Sequence, residues 1–305
     1  MNSLIGYTGF VGSNIAAKAN FQGLYNFKNI GDAFGTCPDL LVFAGIRAEK
    51  FLANDEPQKD FAIVKEAFEN IQKINPKKLV LISTVDVYKN PDHVDEDTPI
   101  EINGLQAYGL NRYHLEQMVE HSVINALIVR LPGLYGENLK KNFIYDLIHV
   151  IPSMLTKAKF TELCAKNDFI RPYYTKQDNG FYKCVSLSDG DRKAVKAYFE
   201  QIGFNALNFT DSRGIFQFYN LSYLWKHIQI ALKHGIKKLN IATEPVTTPE
   251  LYRSIKSEEF VNELAKPVPY YNFKTKYAEL FGGQNGYIFD KIFVLNDIKK
   301  FIEVR

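Results

Sequence analysis

Near the beginning of the chain stands the sequence Asn2-Ser3-Leu4-Ile5-Gly6-Tyr7-Thr8-Gly9-Phe10-Val11-Gly12-Ser13-Asn14-Ile15. A short apolar run comes first, a loop with glycines at intervals of three follows, and an alanine-rich segment with helical spacing comes next. This order predicts a β-strand, a glycine loop and an α-helix. The alternative is a structural turn that only packs the helix against the strand.

A loop of this kind is typical of a dinucleotide-binding site, in which each glycine has its own task. The first allows a tight turn, the second lets the backbone approach a pyrophosphate, and the third lets the helix pack closely on the strand. The phosphates then lie at the positive end of the helix. We therefore predict that the loop binds a dinucleotide through Gly6, Thr8, Gly9, Phe10, Val11 and Gly12.

Composition sets the broad class of the protein. The 305 residues are 46% hydrophobic and 14% aromatic, which is enough to bury a large core. The net charge is +3, and no basic tract indicates binding to nucleic acid or to an anionic membrane surface. No apolar run approaches the roughly 18 residues of a membrane helix, and we find no signal peptide. These features predict a cytoplasmic protein that binds neither nucleic acid nor membranes.

The cysteines indicate neither a disulfide framework nor a metal site. Cys37, Cys164 and Cys184 are widely spaced and odd in number, without a CxxC pair or a histidine pairing pattern. We interpret them as reduced thiols of a cytosolic protein, and we predict no zinc or other metal centre.

Strands and helices alternate along the first half of the chain. The predicted strands after the first cover 23–27, 39–45, 78–83 and 126–130, and the predicted helices cover 56–74 and 104–121. The apolar strands lack alternation, as expected of strands covered on both faces. Because parallel strands need crossover connections, the pattern predicts an α/β fold with a Rossmann-like, doubly wound parallel sheet.

Beyond residue 136 the pattern loosens. Helical spacing occurs around 142–155, 191–202 and 221–234, and extended segments occur at 215–219 and 238–242. We predict a dinucleotide-binding Rossmann domain of residues 1–136 with 215–243. A smaller, mostly C-terminal substrate-binding lobe would consist of residues 137–214 with 244–305.

The residues after the second strand bear on the choice of cofactor. NAD sites typically carry a carboxylate at this strand end, whereas NADP sites prefer a cation. Here the sequence reads Asn26-Phe27-Lys28-Asn29, with no carboxylate before Asp32. A site formed with Asn26 and Lys28 favours NADP over NAD. The alternative is that Lys28 is an ordinary solvated lysine.

Four landmarks follow one another in the expected order. They are the glycine loop, Val42-Phe43-Ala44-Gly45, Ser83-Thr84-Val85-Asp86-Val87-Tyr88 and Tyr108-Gly109-Leu110-Asn111-Arg112. Together they resemble the extended short-chain dehydrogenase/reductase superfamily, particularly its sugar-nucleotide epimerase/dehydratase branch. The resemblance covers residues 1–136 well and 215–251 loosely. It implies an NAD(P) site that includes Ala44 and Gly45.

The resemblance also implies a catalytic group of three residues. In the family, a Ser or Thr beyond the fourth strand and a Tyr on the next helix bind the substrate oxygen. A Lys four residues after the Tyr holds the nicotinamide ribose and lowers the pKa of the tyrosine, because a phenol of pKa about 10 is a poor base at neutral pH. Thr84 and Tyr108 match the first two positions. Arg112 stands in place of the lysine, so a positive charge is kept while a lysine-dependent proton relay is not.

Two further departures from the family pattern narrow the range of expected reactions and substrates. The dehydratases of this branch carry Asp-Glu after the threonine, and Val85-Asp86 therefore disfavours dehydration. Epimerases usually have Asn where Gly133 stands in the fifth-strand motif, which leaves open whether the substrate is nucleotide-linked.

These features predict an NAD(P)-dependent oxidoreductase or epimerase that acts on a hydroxyl or keto group of a sugar or sugar-nucleotide-like substrate. The alternative is a non-catalytic NAD(P)-binding sensor or regulatory module that has lost the lysine-dependent chemistry. The resemblance also implies a homodimer built on helices that include the Tyr108 helix.

Overall fold

The computed structural model describes residues 1–304, and within them the chain forms an α/β fold. The strands are β1 Asn2–Ile5, β2 Gly23–Tyr25, β3 Leu40–Phe43, β4 Lys78–Thr84, β5 Asn125–Leu131, β6 Gly133–Tyr135, β7 Met154–Leu155, β8 Tyr174–Lys176, β9 Tyr182–Cys184, β10 Ile215–Phe216, β11 Phe218–Asn220, β12 Lys238–Asn240 and β13 Val246–Thr247. The α-helices are α1 Phe10–Ala16, α2 Lys50–Asp55, α3 Pro57–Ile74, α4 Ala107–Glu120, α5 Phe143–His149, α6 Lys157–Lys166, α7 Asp189–Gln201, α8 Leu224–Lys233, α9 Thr248–Lys256 and α10 Lys291–Glu303.

A six-stranded sheet forms the centre of the fold, in the order β2-β1-β3-β4-β5-β12. All of its neighbouring strands are parallel. The chain first moves from β1 to β2 on one side and then returns to β3 on the other side, so the strand order reverses at β1. Ligands of open α/β sheets bind in the crevice at such a reversal. The predicted Rossmann-like, doubly wound parallel sheet is confirmed.

Both faces of this sheet are buried, which explains why its strands are apolar without alternation. On one face, Leu4 and Val80 belong to a fully buried cluster that includes Ile228 of α8. On the other face, Ile5 and Leu79 are buried with residues of α3 and α4. Successive strand residues therefore enter different clusters, as the period of two requires.

The short helix α2 is absent from the sequence prediction. Six residues cover fewer than two helical turns, and so they cannot display the repeat that identifies a helix. The predicted helix 56–74 corresponds to α3, which begins at Pro57 and is followed by Asn75 in the left-handed conformation (φ 53°). This boundary places α2 directly after the third-strand loop, against α3 and α4.

The second half of the chain is more regular than its sequence indicates. Strands β7, β9 and β8 form an antiparallel sheet that packs with α6 and α7 around Phe160, Val195 and Phe199. Helices α6, α9 and α10 are missing from the sequence prediction. The apolar residues of α10 lie on several of its faces, since Ile292 is 73% exposed and Val294 is buried. The sequence of α10 therefore lacks a clear helical period. The division into two lobes at the residues given above stays a prediction.

A buried ion pair ties α4 to the sheet. The carboxylate of Glu116 on α4 lies 2.6 Å from the guanidinium of Arg130 on β5, and their side chains are 0% and 1% exposed. Glu116 also accepts a hydrogen bond from Ser83, and Arg130 donates to the hydroxyl of Tyr88 at 2.7 Å. The pair therefore fixes α4 next to the end of β4. Among residues 1–304, the structure contains no helix with both the length and the apolar character to cross a membrane.

We expect Glu116→Ala to lower the free energy of unfolding by about 3–5 kcal/mol, because it leaves the charge of Arg130 buried without its partner. Urea denaturation followed by circular dichroism measures this loss. Glu120→Ala is the matched control on the same helix, since Glu120 forms a more exposed pair with Lys238, and its cost should be about 0–1 kcal/mol. Equal losses in the two variants would contradict the role of the buried pair.

Candidate functional site

The loop between β1 and α1 leaves no room for side chains at two of its glycines. Gly6 has φ +88°, and a Cβ atom built on it would lie 2.4 Å from the carbonyl oxygen of Ala44. A Cβ atom on Gly12 would lie 2.1 Å from the carbonyl oxygen of Gly6. The N–H of Gly9 donates to that same oxygen at 2.9 Å and closes the turn. Strand β1, the end of β3 and helix α1 therefore meet at backbone contact distance.

The start of α1 fits the pyrophosphate of a dinucleotide. Its first turn has neither a capping side chain nor an acidic residue. The N–H groups at a helix start have no partner within the helix, and the positive end of the helix dipole favours an anion. Of the other predicted loop residues, Thr8 is exposed, and Phe10 and Val11 are half-buried.

The turn after β2 lies beside this loop, since the N–H of Gly6 donates to the carbonyl of Tyr25 at 2.7 Å. Asn26 shapes the turn, because its side-chain oxygen accepts from the N–H of Lys28 at 2.9 Å. The Lys28 ammonium is exposed and lies 5.8 Å from the ring centre of Phe27. This placement is compatible both with a cofactor-binding lysine and with a solvated one.

Tyr108 and Thr84 are brought together at the carboxyl edge of the sheet. Tyr108 lies in the first turn of α4 and is 7% exposed. Its N–H donates to the side-chain oxygen of Asn54 on α2 at 2.9 Å. Burial raises the pKa of Tyr108, whereas the charges of Arg112 and Lys50 and a hydrogen bond with Thr84 act in the opposite direction.

Arg112 lies against Tyr108 but uses its hydrogen bonds elsewhere. Its guanidinium carbon is 4.7 Å from the centre of the Tyr108 ring. The two terminal nitrogens donate to the two carboxylate oxygens of Asp60 on α3 at 2.7 and 3.1 Å, and one also donates to the carbonyl of Arg47 at 2.9 Å. Both side chains are nearly buried, at 6% and 11% exposure. Arg112 is thus held in a two-point ion pair beside the tyrosine.

Three further polar residues, which sequence reasoning did not assign to the site, lie next to Tyr108. Asp86 follows β4, and one of its oxygens accepts from the ammonium of Lys50 at 2.9 Å and from the hydroxyl of Tyr271 at 2.8 Å. Burial and the charge of Asp86 raise the pKa of Tyr271. Asp86 stands within a landmark motif, but no local pattern connects it with Lys50 or Tyr271. We call these three residues the Asp86 cluster.

The loop after β3 and helix α2 also contact residues that follow β6. Lys141 donates to the carbonyl of Ala48 at 2.5 Å, and burial lowers the pKa of Lys141. The ring of Phe51 on α2 packs edge-on against Phe181, with 5.2 Å between ring centres. These contacts connect the loop after β3 and α2 with segments that follow β6.

Residues 24–172 match the sequence model of the NAD dependent epimerase/dehydratase family. Over this stretch the chain is similar to that family. The match contains three of the four landmark motifs and confirms the resemblance drawn from them. It begins after the glycine loop, whose assignment depends on the geometry described above. Comparison with the curated proteins gives no match.

Solved structures of epimerases and reductases share the whole fold. The UDP-glucose 4-epimerase of Thermotoga maritima, solved with UDP-glucose, is 14% identical, with a TM-score of 0.63 over 99% of this chain and 98% of that chain. The dTDP-4-dehydrorhamnose reductase of Bacillus anthracis, solved with NADP, is 16% identical, with a TM-score of 0.63 over 100% and 98%. The enzyme WbmG of Bordetella bronchiseptica, solved with NAD and UDP, is 15% identical, with a TM-score of 0.60 over 93% and 88%. At these identities the likeness establishes the fold.

We expect Gly12→Ala to weaken binding of NAD and NADP, because the added methyl group must displace the Gly6 carbonyl from the loop. Overpacking of this kind costs about 1–3 kcal/mol, which corresponds to about 5- to 150-fold in Kd. Isothermal titration of the purified variant with each cofactor measures the loss. Gly31→Ala is the matched control, since a Cβ atom there meets nothing within 4 Å. Unchanged affinity in a folded Gly12→Ala protein would exclude the loop as the pyrophosphate site.

Proposed function

We propose that the protein is an NAD(P)-dependent oxidoreductase or epimerase that acts on a hydroxyl or keto group of a sugar or sugar-nucleotide-like substrate. The observation that carries this proposal is the pairing of Tyr108 with Thr84 at the sheet edge that also bears the glycine loop. The family match and the sugar-nucleotide enzymes among the structural neighbours support it.

A nicotinamide cofactor held at the glycine loop would accept a hydride from the substrate carbon or deliver one to it. Gly6, Gly9 and Gly12 would hold the pyrophosphate, with Ala44 and Gly45 at the neighbouring strand end. When the substrate hydroxyl is oxidised, its proton passes to the phenolate oxygen of Tyr108. When the carbonyl is reduced, the phenol returns that proton to the oxygen.

The environment of Tyr108 determines which of its forms predominates. Burial raises the pKa of the phenol, so Tyr108 is protonated at neutral pH and ready to donate to a carbonyl oxygen. Formation of the phenolate requires the nearby positive charges of Arg112 and Lys50. Thr84 binds the same substrate oxygen and orients it toward Tyr108.

A non-catalytic NAD(P)-binding module is the second candidate. The observation that favours it is the position of Arg112, whose donors are directed to Asp60 and to the Arg47 carbonyl. A residue held in this way differs from the ribose-binding lysine that the family resemblance implies. The predicted homodimer and cytoplasmic location stay predictions.

We expect Tyr108→Phe to lower kcat by about 10²- to 10⁴-fold, because the reacting oxygen loses its proton donor and acceptor. Turnover is measured with a panel of free sugars, UDP-sugars and dTDP-sugars by the absorbance of reduced nicotinamide and by chromatography of the products. Tyr113→Phe is the matched control on the same helix. An active protein whose rate is the same before and after Tyr108→Phe would favour another proton donor. Tightly bound nucleotide in the purified protein, identified by mass spectrometry, would indicate an epimerase rather than a reductase.

We also propose that the cofactor is NADP, with Lys28 binding the 2′-phosphate. If so, the protein prefers NADP to NAD, and Lys28→Ala removes a charge-assisted contact of about 1.5–3 kcal/mol and equalises the two affinities. Isothermal titration measures them, and Lys65→Ala on α3 serves as an exposed-lysine control. The absence of an NADP preference in the unaltered protein would contradict this assignment.

A further inference from the structure

The positive charge of Arg112 acts on Tyr108 from a fixed ion pair. Asp60 binds the Arg112 guanidinium at two points, and it also accepts from the side-chain amide of Asn111 at 2.9 Å. Because the arginine and the carboxylate are nearly buried, neither can turn toward a ligand without leaving the other uncompensated. The ion pair holds the Arg112 guanidinium over the Tyr108 ring in one rigid geometry.

A negative charge stands near the Tyr108 hydroxyl. The turn that contains Asp86 packs against α4 so closely that a Cβ atom on Gly109 would lie 1.9 Å from the carbonyl oxygen of Asp86. The charge of Asp86 raises the pKa of Tyr108 and thus opposes formation of the phenolate. A catalytic phenol at this position needs a second cation.

Lys50 lies in the position that such a second cation requires. It is the first residue of α2, and Asn54, which accepts the N–H of Tyr108, lies one turn later on the same helix face. The Lys50 ammonium lies 2.9 Å from Asp86 and 3.3 Å from the Tyr271 hydroxyl. A cation at the start of a helix is disfavoured by the helix dipole, so stabilisation of α2 does not explain this lysine.

We propose that Lys50 supplies the mobile positive charge beside Tyr108 that the family's lysine supplies from the position of Arg112. This inference rests on the proposed function, in which Tyr108 exchanges the proton. Lys50 acts through Tyr108 and Asp86 and is therefore a positioning residue. Its side chain is 45% exposed, so the ammonium can move as charge develops on the phenol, whereas the Arg112 guanidinium cannot.

The charged and titratable groups around Tyr108 define the expected pH dependence. They are Lys50 of α2, Asp60 of α3, Asp86 after β4, Arg112 of α4 and Tyr271 of the C-terminal segment. Removal of the Lys50 charge leaves Asp86 unbalanced and raises the pKa of Tyr108 further. The rise of the oxidation rate with pH and the fall of the reduction rate with pH would both move to higher pH.

The test compares Lys50→Met, Lys50→Arg and Lys59→Met in full pH profiles of kcat. We expect Lys50→Met to move the profile to higher pH and to slow oxidation about tenfold at neutral pH, the effect of one pH unit in the midpoint. Lys50→Arg keeps the charge and should retain the original midpoint. Lys59→Met is the matched control, because Lys59 is 76% exposed and pairs with Glu56, away from Tyr108. Circular dichroism verifies that each variant is folded.

An unmoved midpoint in Lys50→Met, or equal displacement in Lys50→Met and Lys50→Arg, would overturn the proposal. Failure of the proposed function has a different signature, namely no turnover in the unaltered protein or a Tyr108→Phe variant of unchanged rate. In that case the charge effect is measured without turnover, by NMR titration of protein with ¹³C-labelled tyrosine rings. The Tyr108→Phe spectrum identifies the Tyr108 signal, which must titrate at higher pH in Lys50→Met for the inference to hold.

Discussion

The carbonyl oxygens of Gly6 and Ala44 occupy the space that side chains at the two critical loop glycines would need. This backbone contact joins β1 to the end of β3 and fixes where the chain leaves the sheet. The segment after β3 therefore leaves the sheet next to the reversal of strand order at β1. In this segment the carbonyl of Arg47 accepts from Arg112 and the carbonyl of Ala48 accepts from Lys141. Helix α2 begins two residues after Ala48. The positions of Lys50 and Asn54 next to Tyr108 depend on that exit from the sheet.

Two ion pairs border Tyr108, and they differ both in burial and in the kind of cation. Asp60 with Arg112 is nearly buried and bidentate, so it fixes α3 relative to α4. Asp86 with Lys50 is partly open to solvent, at 21% and 45% exposure. A guanidinium in a two-point pair is held in one geometry, whereas an ammonium on a flexible stem forms and breaks single contacts readily. The Asp60–Arg112 pair is therefore suited to holding the two helices together. The Asp86–Lys50 pair is suited to a reaction in which charge develops on Tyr108.

The sequence predicts those features that depend on local pattern. The strands of the central sheet are recognisable because burial on both faces requires continuous apolar runs, and the glycine loop is recognisable because its spacing follows from backbone geometry. Thr84 and Tyr108 were found through motif resemblance, and the structure brings them together. The partners of Asp86 lie 36 and 185 residues away along the chain, so no window of sequence connects them. For the same reason the sequence does not reveal Asp60 as the partner of Arg112, because the two residues are 52 positions apart.

Asp60 on α3 also determines which contacts a cation at position 112 makes. A lysine at this position would lie beside the Asp60 carboxylate, which is 11% exposed and already bound to Asn111. An ammonium would be attracted to that carboxylate, because leaving a buried carboxylate unpaired is costly. Position 112 is therefore committed to pairing with α3 whichever cation occupies it. A mobile charge that assists Tyr108 must then come from a different element, and α2 is the element that already holds the backbone of Tyr108 through Asn54.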